Sequence, residues 1–198
     1  MYTLINGSQK LEKSNSKYFL NCISKYLNEF NLFDLKSDSY EKILESINNS
    51  NSIVFAFPLY VDSPNTVTLS FLDYIFDNNI KINKNIYFII NCGFREWQHN
   101  LTALNIVKSW CIKVGAKYGG SVLIGAGEVV GNKKYKLLSK KIYHHLRLLS
   151  NDMKNNTSNE YKGTISILNN SLYCKIANIS WNKKGSINNL SKKDIRVK

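Results

Sequence analysis

Residues 53–61 read IVFAFPLYV, the longest apolar stretch of the chain. Pro58 interrupts it, and its length is about half of what a helix needs to cross a bilayer, so it does not read as a membrane span. Ile53 to Phe57 instead form a continuous apolar run, the pattern of a strand buried on both faces. Such a strand needs helices above and below it.

The rest of the chain supplies them in regular alternation, the signature of an α/β domain with a mostly parallel sheet. A first strand is expected over about Tyr2 to Ile5. A helix follows, with Tyr18, Phe19, Cys22, Ile23, Tyr26, Leu27 and Phe30 at helical spacing. Leu32 to Leu35 reads as a short strand, Ser39 to Ile47 as a helix, and Val67 to Phe76 as another. NIYFIIN, from Asn85 to Asn91, is the fourth strand. Leu101 to Val114 is a long helix ended by Gly115. YGGSVLIGAG, from Tyr118 to Gly127, holds the fifth strand, and Tyr135 to Leu149 the last helix. Beyond about Ser150 the pattern weakens into a polar linker, NDMKNNTSNEYKG, and a tail with a buriable Trp181 and a basic finish. The expected division is therefore 1–150 as the α/β domain and 151–198 as linker and basic C-terminal extension packed on it.

Five strands and five helices in this order fit the flavodoxin-like sheet, order 2-1-3-4-5. In such sheets ligands bind at the carboxyl ends of the strands, near the switch point between strands 1 and 3. Unusual residues gather in the three loops that this topology places there. After strand 1 comes NGSQKLEKSNS, after strand 3 PLYVDSPNT, and after strand 4 NCGFREWQ. The first loop ends a strand and opens a helix, so backbone N–H groups and the positive end of the helix dipole converge on it. Gly7 permits close backbone approach, and Ser8, Ser14, Asn15 and Ser16 offer donors, which makes an anion cradle suited to a phosphate. Ser14 or Asn15 as a simple helix cap is an equally good reading of that loop alone. Neither the P-loop nor the dinucleotide-binding glycine pattern is present. Pro58, Leu59 and Tyr60 give a flat apolar surface, and Gly93 a point of backbone approach beside Phe94, Glu96, Trp97 and Gln98. Together the loops suit a phosphorylated planar heterocycle.

Composition narrows the partners. With 27 Lys and Arg against 14 Asp and Glu the formal charge is +13, a balance that favours an anionic partner of some kind. The basic residues are dispersed, apart from Lys183, Lys184, Lys192, Lys193, Arg196 and Lys198 in the tail, so solvated surface lysine accounts for most of it and nucleic acid is not the expected partner. Cys22, Cys92, Cys111 and Cys174 are scattered without a paired spacing, which leaves neither a zinc nor an iron–sulfur site and points to reduced thiols. His144 and His145 are adjacent and face different ways on a helix, a poor start for a metal site. The N-terminus lacks a signal-peptide pattern. A cytoplasmic protein without membrane insertion is expected.

The three loops also carry a resemblance. GSQKLEKSNS resembles the G-S…S-N-S/T phosphate loop of NAD(P)H-dependent FMN reductases, with Gln9 and Lys10 where that motif commonly has Pro-Arg. FPLYVDSPNTVTLSFLDYI is similar to the P-x-Y motif and following helix of flavodoxin-like oxidoreductases. NCGFREWQHNLTALNIVKSWCIKVGAKYGGSVLIGAGEVV resembles the N-x-G-F…G-A-G-E stretch of bacterial members, and NISWNKKGSINNLSKKDI their C-terminal ending. The resemblance implies non-covalent FMN and transfer of reducing equivalents from NAD(P)H to a small acceptor such as a quinone or another flavin. It places Ser8, Lys10, Ser14, Asn15 and Ser16 at the phosphate, Pro58, Leu59, Tyr60 and Val61 against the ring system, and Asn91, Gly93 and Phe94 along its other edge, with Glu96 and Gln98 as second choices. No catalytic residue is expected, because the cofactor carries the chemistry. A homodimer is implied as well. An electron carrier of flavodoxin type and a flavin-free binding module on the same fold stand as alternatives.

Overall fold

The computed structural model describes residues 1–11, 14–131, 139–165, 170–191 and 194. They form two compact units, Met1–Ile165 and Ser166–Lys198. The first unit holds β1 (Tyr2–Asn6), α1 (Asn15–Ser24), β2 (Phe30–Asp34), α2 (Tyr40–Asn48), β3 (Ser52–Tyr60), β4 (Ser63–Pro64) and α3 (Thr66–Asp77). These are followed by β5 (Asn85–Asn91), a 3-10 turn (Trp97–Asn100), α4 (Leu101–Lys113), β6 (Lys117–Ile124), α5 (Gly127–Val130), α6 (Lys140–Asn155) and β7 (Asn159–Gly163). Among the described residues of the second unit the main element is the helix α7 (Asn170–Ile187), followed by a short turn.

The strands run in the order β2-β1-β3-β5-β6-β7, with every pairing along that path parallel, and β4 folds back antiparallel on the end of β3. This is the expected five-strand order with one strand added at the far edge. Alternate residues of the central strands point to opposite faces. Ile5, Phe55, Phe57, Phe88 and Ile90 turn toward α2, α3 and α4, where they pack with Ile43, Phe71, Ile75, Leu104 and Val107. Phe55 stacks on Phe88 at 5.9 Å, and Phe88 on Tyr118 at 6.2 Å. The Trp110 indole, buried in the same layer, donates to the Leu72 carbonyl at 2.9 Å. Their neighbours Leu4, Val54, Ala56, Ile89 and Val122 take the other parity and are equally buried, as are Phe19, Leu20 and Ile23 of α1 and Ile142, Leu146 and Leu149 of α6.

Three local differences from the sequence reading have physical causes. α1 stops at Ser24, and Phe30, which helical spacing assigns to it, opens β2 and is 40% exposed. The polar stretch after Ser150 is not a linker: α6 continues to Asn155, and NEYKG forms β7. What holds that polar strand is a buried carboxylate. Asp152 accepts from the Thr157 hydroxyl (2.5 Å), the Asn159 side-chain amide (2.9 Å) and the Tyr161 hydroxyl (2.8 Å), while its backbone carbonyl accepts from Tyr87 at 2.9 Å. The third is α7, a helix in a tail whose apolar residues show no periodic stripe, with Trp181 56% exposed.

Among the described residues no helix is long and apolar enough to cross a membrane, and no group of three His, Cys, Asp or Glu side chains could hold a metal ion. His144 is exposed. His145 lies half-buried against the Tyr161 ring at 5.4 Å. Cys22, Cys92, Cys111 and Cys174 form no disulfide.

Candidate active site

The carboxyl ends of β1, β3 and β5 meet at a cleft of about 200 Å³ lined by Ser8, Lys10, Ser14, Asn15, Ser16, Pro58, Leu59, Tyr60, Asn91, Cys92, Gly93 and Glu128. It stands where the chain reverses its direction of progress across the sheet, between β1 and β3.

The first loop is organised by a residue that the sequence reading passed over. Asn6, fully buried at the end of β1, accepts through Oδ1 from the Ser8 backbone N–H (3.2 Å) and the Ser14 hydroxyl (3.3 Å). Its Nδ2 donates to Asp34 at 2.6 Å, and Asp34 pairs with Lys17 at 2.5 Å. Ser14 also accepts from the Lys17 N–H at 3.2 Å as the N-cap of α1. The two readings of this serine are therefore compatible: it caps the helix and lines the cleft. Ser8 accepts from the Lys10 N–H (3.1 Å), and Ser16 accepts from Asn91 Nδ2 (3.0 Å). In those roles each oxygen is an acceptor, and its own O–H is still a donor for a ligand.

Gly7 has a different role from the one its position implied. Its φ is not in the left-handed region, and the space its missing side chain leaves is taken by the protein. A Cβ there would lie deep inside contact with Thr68 Oγ1 and 3.0 Å from Phe57 Cβ. The Gly7 carbonyl accepts from Asn65 Nδ2 (2.7 Å) and Thr68 Oγ1 (3.2 Å). Gly7 thus lets β1 pass close under α3, which fixes where Ser8 emerges. Gly93 is the opposite case, with nothing within 4 Å of where its Cβ would stand. Here the backbone faces open space.

Asn91, at the end of β5, ties two loops together by donating to Ser16 Oγ and to the Phe57 carbonyl, each at 3.0 Å. Cys92 sits among the carbonyls of Phe94, Glu96 and Ile124 at 3.5, 3.6 and 3.7 Å. Burial pushes its thiol pKa up, which favours packing over thiolate chemistry at this position.

Four expected residues stand outside the cleft lining. Val61, 98% exposed, forms the tip of the β3–β4 hairpin with Asp62. Both have positive φ (49° and 57°), as a two-residue turn of type I′ requires, and this turns Val61 into solvent. Phe94 lies over His99 with ring centroids 4.4 Å apart. Glu96 and Gln98 are exposed on the loop before α4.

Glu128 enters the cleft from an element whose position sequence does not disclose. The short helix α5 is lashed down on several sides: Ala126 N–H donates to Phe94 O (2.5 Å) and Gly127 N–H to Cys92 O (2.8 Å). Tyr143 of α6 donates to the Val130 carbonyl at 3.0 Å, leaving its oxygen to accept from Tyr18 of α1 at 2.8 Å. Gly127 is flush against Asn91, and Gly131 against Asn15. The one signal for Glu128 in the sequence was its place at the end of GAGE.

No family profile matches the chain, and no curated protein matches it in sequence. Its fold does have solved counterparts. The Trp repressor binding protein from Bacillus subtilis superposes with a TM-score of 0.60 at 18% identity, over 75% of this chain and 97% of that one. The NAD(P)H:quinone oxidoreductase from Methanothermobacter marburgensis gives 0.58 at 14% identity, over 78% and 96%. A flavodoxin, WrbA-like protein from Agrobacterium tumefaciens gives 0.54 at 11%, over 79% and 99%. The fold is flavodoxin-like. At these identities the flavodoxin-like likeness establishes architecture, and the chemistry of the site has to be argued from its own residues.

Proposed function

We infer that the protein is an FMN-dependent oxidoreductase that passes reducing equivalents from NAD(P)H to a quinone, a flavin or a similar small acceptor. The observation that carries this reading is the convergence of three loops on one cleft, with donors at one end and an apolar wall at the other. That arrangement fits FMN in particular. Ser8, Ser14, Asn15, Ser16 and Lys10 surround the N-terminus of α1, a ten-residue helix whose dipole favours an anion at that end. They would hold the phosphate. Pro58, Leu59 and Tyr60 would lie along the ring system, and the open space over Gly93 would admit its edge.

Bound FMN supplies hydride chemistry, so the protein's own task is to bind and orient. Asn91 holds Ser16 in place from β5, and Asn6 holds Ser8 and Ser14 from β1. The phosphate end of the cleft is thereby positioned from two buried strands rather than from a free loop, and Asn91 also reaches the start of the apolar wall through the Phe57 carbonyl. The structural counterparts include proteins named NAD(P)H:quinone oxidoreductase, NADH:FMN oxidoreductase and azoreductase, which is consistent with this class of reaction. The soluble, cytoplasmic and dimeric state expected from sequence belongs to the same proposal.

The test is equilibrium binding. Purified protein titrated with FMN should quench flavin fluorescence with a dissociation constant at or below the micromolar range, and riboflavin, which lacks the phosphate, should bind at least about tenfold more weakly. Equal affinity for the two flavins, or no binding of either, would remove the reading.

A further inference from the structure

The cleft lining combines serine and asparagine side chains, which can donate or accept, with the Lys10 ammonium and the apolar surface of Pro58, Leu59 and Tyr60. Ser8, Ser16, Lys10 and the first turn of α1 suit an acceptor such as a phosphate, and Pro58, Leu59 and Tyr60 suit a ring. Glu128 is the sole carboxylate among the described residues that line it. A carboxylate offers several acceptor positions, so beside the contact that Glu128 already makes it can take a hydrogen bond from a ligand's donor. Its place follows from its neighbours. Gly127 is in contact with Asn91 (2.9 Å from its Cβ position to Oδ1) and Gly131 with Asn15 (2.5 Å to Oδ1), so the residues between them bridge the ring end and the phosphate end. α5 is held there by the Ala126, Gly127 and Val130 backbone hydrogen bonds to the β5 loop and to Tyr143.

A ligand lying between these ends with a phosphate at one and a ring at the other has its connecting chain beside α5. We propose that Glu128 is a specificity-determining residue that accepts a hydrogen bond from a hydroxyl of that chain, so that the cleft selects a polyol phosphate over an alkyl phosphate carrying the same ring. The inference rests on the FMN reading above. It adds a requirement that neither the phosphate cradle nor the apolar wall imposes.

The experiment compares FMN with a synthetic flavin whose phosphate is carried on an unbranched pentyl chain without hydroxyls. Both are titrated against the wild type, Glu128→Ala and Glu128→Gln, with flavin fluorescence as the readout. Glu128 is exposed, so the folded state should tolerate either change, and far-UV circular dichroism with a melting curve checks this. Loss of a hydrogen bond to a charged acceptor should weaken FMN by roughly tenfold or more in Glu128→Ala and leave the pentyl analogue within about twofold. Glu128→Gln, which keeps a neutral acceptor, should fall between. If Glu128→Ala weakens both flavins alike, or neither, the carboxylate does not read the chain and the inference fails while the FMN reading stands. If the wild type binds neither flavin, the FMN reading itself fails, and this inference with it.

Discussion

Replacing Gly7 by alanine separates two reasons for a glycine at this point. If the glycine exists to let a ligand approach the backbone, its replacement should damage binding whatever is done to the protein around it. The structure assigns it to packing: the added methyl would overlap Thr68 Oγ1 and stand 3.0 Å from Phe57 Cβ and 3.4 Å from Thr68 Cβ. Thr68 is fully buried and its single hydroxyl hydrogen is shared between Asn65 Oδ1 (2.7 Å) and the Gly7 carbonyl (3.2 Å), so it has little freedom to rotate away. Overpacking of this kind costs about 1–3 kcal/mol. For a chain of this size that lowers the melting temperature by roughly 2–12 °C. Thr68→Ala alone removes buried hydrogen bonds at a cost of about 1 kcal/mol. The double variant removes the overlapping atom, so its destabilisation should be less than the sum of the two by about 1–2 kcal/mol, a coupling that a double-mutant cycle in urea resolves. Binding should follow stability. Gly7→Ala should weaken FMN because Ser8 is displaced, and the double variant should recover most of the affinity. Recovery of stability without recovery of binding would show that the ligand needs the bare backbone, and the packing argument would be wrong.

Three further outcomes follow from the same contacts. Asp152→Ala removes the buried carboxylate that accepts from Thr157, Asn159 and Tyr161, side chains that are themselves exposed or half-buried and can turn to water, and should cost about 1–3 kcal/mol; hydrogen exchange should show β7 amides losing protection before those of β3. Lys10→Ala should weaken FMN by about threefold to tenfold and riboflavin hardly at all, since only FMN carries the phosphate; an equal effect on both would remove Lys10 from the cradle. Burial pushes the Tyr87 hydroxyl up to about 12 from its usual 10 and the Cys111 thiol up to about 12 from 9. The unfolded chain gives up these protons at lower pH than the native state does, so their contribution is intact below about 9 and is lost as pH rises from 9 through 12. Urea midpoints across that range should fall, and Tyr87→Phe should shallow the slope.

The central strands were legible because each is a continuous apolar run, as in Ile53–Phe57 and Tyr87–Ile90, and nothing but a strand between two helical layers buries such a run. β7 was not, since Asn159, Glu160 and Lys162 give it the composition of a loop. It pairs on one side only, with β6, and its stability comes from Asp152 and from the ion pair of Glu160 with Lys108, which are invisible to hydrophobic pattern. The loops of the site were legible at their strand ends, where Ser8, Pro58 and Asn91 are placed by register. They were less so further out. Val61 reads as a continuation of the apolar run, but a two-residue turn at 61 and 62 reverses the chain and sends it into solvent. Asn6 looked like the start of a polar loop and is the buried centre of its hydrogen bonds. Glu128 depends on where α5 is fastened, which involves Tyr143 and Phe94, partners distant in sequence.

The central claim is that this cleft holds FMN for exchange of electrons with NAD(P)H. The measurement that bears on it most directly is the visible spectrum of the FMN-loaded protein under anaerobic conditions, on addition of NADH or NADPH and then of a quinone. The account predicts that at least one of the nucleotides bleaches the flavin bands and that the quinone restores them. Bands that persist with both nucleotides, in protein shown to have FMN bound, would contradict it.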